Sequence, residues 1–179
     1  MKSPQTRLGK IILCGLFAAI LCVLAIITIP IGQVPITMAL MGVFLTAAIL
    51  PPVSATVSVL AYILIGTAGV PVFSGFGAGF GVLLGATGGY LMAYPLMALA
   101  VSGFRKLYKD RWFGYWFGIV AALLLCYGLG TLWFSRVTGT GFTAALAVCV
   151  FPFIPFDLAK AAAAFGVKLA LDKIPGMTV

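Results

Sequence analysis

The chain has 179 residues, 63% hydrophobic and 8% charged, with a mean hydropathy of +1.23 and a formal charge of +8. A soluble domain is about half apolar and a quarter charged, so this is the composition of a membrane protein, and such a chain has almost no water-facing surface on which its eleven bases could hold nucleic acid. With no histidine and only three acids, Asp110, Asp157 and Asp172, the sequence has almost no material for a histidine relay, a carboxylate pair or a metal cage.

About twenty apolar residues cross the hydrocarbon core. The first such run, residues 11–29, stops at Pro30 and exceeds a signal-peptide core, so it reads as a retained helix. The second, 34–50, stops at Pro51 and Pro52, which cannot continue a helix and mark a tight turn. The third is 53–70. A Gly-rich segment, PVFSGFGAGFG at 71–81, leads into the fourth, 82–103. The charged segment FRKLYKDRW at 104–112 reads as aqueous, and 113–134 is the fifth span. An apolar stretch then runs into Pro152 and Pro155, which argues for a short helix or partial re-entry followed by a sixth span at 154–171. The expected fold is therefore an all-α, six-span bundle forming one integral membrane domain.

Charge orients it. Six spans with a cytoplasmic N-terminus put Lys2, Arg7, Lys10, Arg105, Lys106, Lys109, Arg111, Lys168 and Lys173 inside, nine of the eleven bases, as the positive-inside rule requires. Arg136 is then outside and Lys160 lies within a span. The four cysteines, Cys14, Cys22, Cys126 and Cys149, sit in apolar runs without C-x-x-C spacing and read as packing residues.

Asp157 and Lys160 lie three residues apart near the outer end of the sixth span and share a helix face. Two readings stand: a ligand site, or a self-neutralising ion pair with Lys160 snorkelling outward. Apolar residues are the cheaper choice where nothing binds, which favours the ligand site. The segment from Gly75 to Gly81 alternates G-x-G-x-G-x-G, which is not a dinucleotide fingerprint; it is either a tight loop offering backbone amides or a flexible connector. Gly15, Ala18, Ala19, Cys22 and Ala25 form a small-residue stripe along the first span, suited to close helix packing within the chain or against a partner. Nothing resembles a phosphate-binding loop, since Gly9-Lys10 is followed by Ile11, and no internal repeat is evident. Energy for uphill transport must then come from a partner or an ion gradient.

Three segments, IPIGQVPITMALMGVFL at 29–45, GVPVFSGFGAGFGVLLGATGGYLMAYP at 69–95 and FPFIPFDLAKAAAA at 151–164, resemble the signature segments of the BioY family, the biotin-binding S components of energy-coupling-factor (ECF) transporters. The resemblance implies a non-enzymatic, multi-pass subunit of a bacterial cell membrane that captures biotin outside and topples to release it inward. It implies docking on a transmembrane coupling subunit and two cytoplasmic ATPases, with ATP used only by those partners and no cofactor or metal in this chain. Asp157 and Lys160 match the family's Pro-x-Asp-x-x-Lys site, residues 30–35 including Gln33 match its lid, and Ser74, Gly75 and Gly77 fall in its pocket-lining loop. The stripe Gly15, Ala18, Ala19 and Cys22 falls where the family meets its coupling subunit. The chain departs from the family at Met38 and Ala39, where Leu-Gln is common, and at Phe156, where glycine is usual, which makes the pocket more apolar.

For biotin itself, Asp157 is expected to accept from the ureido N–H groups and Lys160 to hold the carboxylate, with Phe73, Tyr90 and Tyr94 covering the rings. Residues at i and i+3 are only about 5–6 Å apart at Cβ, so this needs Lys160 to extend away from Asp157. If both reach one end of the ligand, backbone N–H groups must hold the other. The runner-up ligand is lipoate, which shares the sulfur ring and valeryl tail but lacks the ureido donors. An intramembrane enzyme and a purely structural subunit are the readings from other classes.

Overall fold

Residues 7–30 and 34–173 are described by the structure, a computed structural model, and they are helical apart from one two-stranded ribbon and short turns. The elements in chain order are α1 (Arg7–Ile26), β1 (Thr28–Ile29), β2 (Ile36–Thr37), α2 (Ala39–Ile49), α3 (Pro52–Thr67), a 3-10 turn (Ser74–Phe76), α4 (Gly81–Leu84), α5 (Gly88–Leu107), α6 (Trp112–Thr138), α7 (Phe142–Cys149) and α8 (Ile154–Asp172).

Burial explains the arrangement. Nine of the eleven residues of α2 are buried, so this helix is apolar all round because it has protein on all sides. Helices α1, α3, α5 and α8 pack against it, and α5 and α6 pair along their length. Phe17 and Leu21 from α1, Val43 and Phe44 from α2, Tyr62 from α3, Met97 and Val101 from α5 and Ile119 from α6 meet in one core. The outer surface is also apolar: Ile11, Ile12, Leu16 and Val23 of α1 and Leu124 and Leu132 of α6 are exposed, which suits lipid and not water. Helices α1 and α6 are each long and apolar enough to cross a membrane alone; α7 and α8, bent by 48° at their junction, together make a third candidate. The buried Thr46, Ser58 and Ser102 hydroxyls are satisfied within their own helices, as where Thr46 Oγ1 donates to the Gly42 carbonyl at 2.7 Å, whereas the Tyr115 hydroxyl crosses to the Ala161 carbonyl at 2.9 Å.

Three sequence expectations are corrected. The first span was drawn to residue 29, but α1 ends at Ile26, because the β-branched run Ile26-Ile27-Thr28-Ile29 before Pro30 favours extended backbone. Thr28 pairs with Thr37 and Ile29 with Ile36, which also shortens the second helix at its start. The fourth run, 82–103, is broken between α4 and α5. A Cβ on Gly88 would lie 1.8 Å from the Leu83 carbonyl oxygen, so only glycine lets the chain double back there, and the Trp133 Nε1–H donates to the freed Gly85 carbonyl at 2.9 Å. The segment 104–112 is not wholly aqueous. Helix α5 continues through it to Leu107, and Arg105 is buried, donating from Nη2 to the Leu50 carbonyl at 2.8 Å and pairing with Asp110 at 2.9 Å. The short helix before the sixth span is present as α7.

Candidate functional site

The break between α4 and α5, the ribbon and the α7–α8 bend leave a cavity of about 190 Å³ among α2, α3, α5, α6 and α8. Val34, Pro35 and Thr37 line it from the ribbon side, Phe73 and Ser74 from the Gly-rich segment, Tyr90 and Tyr94 from α5, Cys126 and Tyr127 from α6, and Asp157 and Lys160 from α8. The ribbon is held down twice. Val34 and Ile36 pack with Phe134, Ala145, Cys149 and Phe153, and the Thr28 and Ser74 hydroxyls lie 3.3 Å apart.

Asp157 and Lys160 are the charged groups of this cavity, 3% and 8% exposed. Lys160 Nζ donates to Asp157 Oδ1 at 2.9 Å, and the Tyr127 hydroxyl donates to Oδ2 at 2.8 Å. The lysine therefore does not extend away from the aspartate. A carboxylate accepts at about four lone-pair positions and an ammonium has three donors, so the pair keeps spare acceptors and donors while its net charge is zero. Such a pair suits a neutral group carrying an N–H beside a C=O. A second carboxylate on Lys160 would place two anions on one cation in a low-dielectric site, which is unfavourable.

Tyr127 was not among the sequence-predicted residues. Its signal was present: a tyrosine in mid-span needs a partner for its hydroxyl, and the only acid in the spans is the candidate. Tyr127→Phe removes one charge-assisted hydrogen bond and frees Asp157 to rotate. Ligand affinity is expected to fall about tenfold, measured by equilibrium binding to the purified chain, with little change in thermal stability.

The Gly-rich segment contributes through its shape. Gly75 has φ +64° at the centre of the 3-10 turn, and the Phe73 amide donates to the Gly77 carbonyl at 3.0 Å across it. Gly75 and Gly77 are not on the cavity wall; they fold the turn that seats Phe73 and Ser74 there. The Phe73 ring is 5.6 Å from Tyr62 in an edge-to-face pair and lies against Gly66, where a Cβ would come within 2.2 Å of it. Of the predicted site residues, Asp157, Lys160, Ser74, Phe73, Tyr90 and Tyr94 converge on the cavity, and Gln33 lies outside the described residues. Ala39 lines the cavity and Phe156 is half exposed, away from it.

The small-residue stripe divides between two faces. Ala18 is buried in the core and Cys22 is half-buried, whereas Gly15 and Ala19 are exposed, with no atom within 4 Å of a Cβ built on Gly15. The outward pair continues the exposed face of Ile12, Leu16 and Val23.

An apolar helical bundle around a cavity that holds a buried, mutually neutralising ion pair is the architecture of a membrane protein with a candidate small-molecule site. The sequence profile of the BioY family matches residues 1–175, and the chain belongs to that family. It is 35% identical over 158 residues to biotin transporter BioY2 of Lactococcus lactis subsp. cremoris, an alignment covering 88% of this chain and 86% of that protein. It is 36% identical over 165 residues to biotin transporter BioY of Thermotoga maritima, covering 92% and 96%, and 37% identical over 155 residues to the probable biotin transporter BioY of Pyrococcus horikoshii, covering 87% and 91%. Its fold is similar to the S-component for biotin from an ECF-type ABC transporter, solved at 2.1 Å, with a TM-score of 0.88, 25% identity and coverage of 99% of this chain and 97% of that one. The family is one of transporter S components and not of enzymes, and it places the chain in a membrane.

Proposed function

We propose that this chain captures biotin at the outer face of a bacterial cell membrane as the S component of an ECF transporter. It works with a transmembrane coupling subunit and two cytoplasmic ATPases. The observation that carries the ligand assignment is the buried Asp157–Lys160 pair, completed by Tyr127, inside the cavity of a BioY-family fold. Biotin's ureido group carries N–H donors beside a carbonyl acceptor, complementary to the spare acceptors of Asp157 and the spare donors of Lys160. Both residues thus serve one end of the ligand. The aromatic rings of Tyr90, Tyr94 and Phe73 cover the bicyclic middle, and the valeryl tail runs toward the Thr28 and Ser74 hydroxyls at the ribbon. Gly75 and Gly77 serve the same site by folding the turn that seats Phe73 and Ser74 on its wall.

In the membrane, α1, α2, α3, α4 with α5, α6, and α7 with α8 make six crossings of one domain. Both termini are cytoplasmic, an arrangement supported by the distribution of the basic residues. The exposed Gly15 and Ala19, with Ala18 and Cys22 behind them, permit close approach of the coupling subunit to α1.

Labelled biotin added to the purified chain in detergent is expected to bind saturably at one site. Desthiobiotin, which keeps the ureido group, competes; lipoate, which lacks it, leaves the buried pair unsatisfied and is weaker by at least about a hundredfold. Competition by lipoate equal to that by desthiobiotin excludes ureido recognition, and the absence of saturable binding excludes the function.

A further inference from the structure

We infer that the turn between α5 and α6 binds the headgroup of an anionic phospholipid in the adjoining leaflet. The inference rests on the chain's membrane location and is independent of which ligand the cavity holds.

Lys106, Lys109 and Arg111 are exposed within six residues of chain, and among the described residues none of the three belongs to an ion pair. The acid within the same turn, Asp110, is diverted from them. Lys109 and Asp110 are consecutive left-handed residues, φ 53° and 58°, a conformation that side chains other than glycine rarely adopt. This backbone turns Asp110 back on α5, where its amide donates to the Arg105 carbonyl at 2.9 Å and its carboxylate pairs with the buried Arg105 guanidinium at 2.9 Å. The surface of the turn is left with three exposed cations that stand outside any ion pair among the described residues.

An apolar shelf adjoins them. The Tyr108 ring lies 6.5, 5.3 and 5.9 Å from those of Phe104, Phe113 and Phe117, and Trp112 and Leu107 are 66% and 72% exposed. Trp and Tyr at this level favour the headgroup boundary, and cations beside a membrane helix attract anionic lipid. A free anion uses only the cations, whereas a phospholipid uses cations and shelf together. This two-part character selects the lipid.

The test uses the full chain, with the quenching of Trp112 read as the difference between the chain and its Trp112→Phe variant, so that Trp116 and Trp133 stay in place. Each is reconstituted in phosphatidylcholine vesicles containing brominated phosphatidylglycerol or brominated phosphatidylcholine at equal mole fraction. At low salt, brominated phosphatidylglycerol is expected to quench Trp112 with a relative binding constant at least about threefold higher. The preference falls toward unity in Lys106→Gln/Lys109→Gln/Arg111→Gln and persists in Lys106→Arg/Lys109→Arg. An unfolding midpoint of the triple variant equal to the parent's shows that it is folded. Equal quenching by the two lipids in the parent chain, or a preference that survives the triple substitution, overturns the proposal. Loss of the preference on adding soluble glycerol phosphate overturns it too, because the turn then holds a free anion.

Discussion

Asp157→Asn is expected to lower the affinity of the purified chain for biotin by at least about a hundredfold, the largest effect of any single substitution considered. Asparagine keeps the shape and can still accept from the Tyr127 hydroxyl, but it strands the Lys160 ammonium in a buried site. Removing one member of a buried pair costs about 3–5 kcal/mol because the other charge is left uncompensated. That cost appears both in the stability of the chain and in its ability to receive a neutral ligand group. The double variant Asp157→Asn/Lys160→Met separates the two. Removing both charges restores neutrality, so thermal stability returns toward that of the parent chain, while biotin binding stays lost because the spare donors and acceptors are gone. If binding returned together with stability, the pair would be structural glue and the site would lie elsewhere. This comparison decides between the two readings that the sequence left open for the pair.

Gly66→Ala is the second large effect. The added Cβ would fall 2.2 Å from the Phe73 ring, which is 1% exposed and fixed by its edge contact with Tyr62, so the ring must move toward the cavity it lines. Overpacking of this kind costs about 1–3 kcal/mol. The expected result is a lower unfolding midpoint together with biotin affinity reduced about tenfold or more. Phe73→Leu in the Gly66→Ala background relieves the clash and recovers the midpoint but not the affinity, because the aromatic wall is then missing. A Gly66→Ala chain that unfolds and binds like the parent would show that the Phe73 wall is more compliant than this packing implies.

The sequence made the helices legible where one physical effect dominated. Helix α6 follows from an uninterrupted apolar run, and α3 begins at the Pro51–Pro52 turn because proline fits the first turn of a helix and not its interior. Asp157 and Lys160 were legible because charge in an apolar segment is costly. Phe73, Ser74, Tyr90 and Tyr94 were legible only as aromatic or polar groups near the resemblance motifs, and the fold brings them together. Features that depend on partners distant in sequence were hidden. The ribbon between α1 and α2 needs Thr28 opposite Thr37, and the break between α4 and α5 is held by Trp133, 48 residues from the carbonyl it satisfies. Arg105 reads as a topology marker along the chain, yet it is buried, because the Leu50 carbonyl at the end of α2 and the back-turned Asp110 give it partners. Tyr127 reaches Asp157 across 30 residues, and a periodicity argument assigns it only to a helix face. The stripe on α1 shows the same limit, since spacing groups Ala18 with Gly15 although one is buried and the other exposed.

In the proposed function the Asp157–Lys160 pair reads the ureido end of biotin as a unit. A structure of the purified chain with biotin bound tests it most directly. Ureido nitrogen and oxygen atoms are expected within about 2.7–3.2 Å of Asp157 and Lys160 respectively, with the carboxylate tail directed toward Thr28 and Ser74. Biotin bound outside this cavity, or with its carboxylate on Lys160 and its ureido ring away from Asp157, would contradict it.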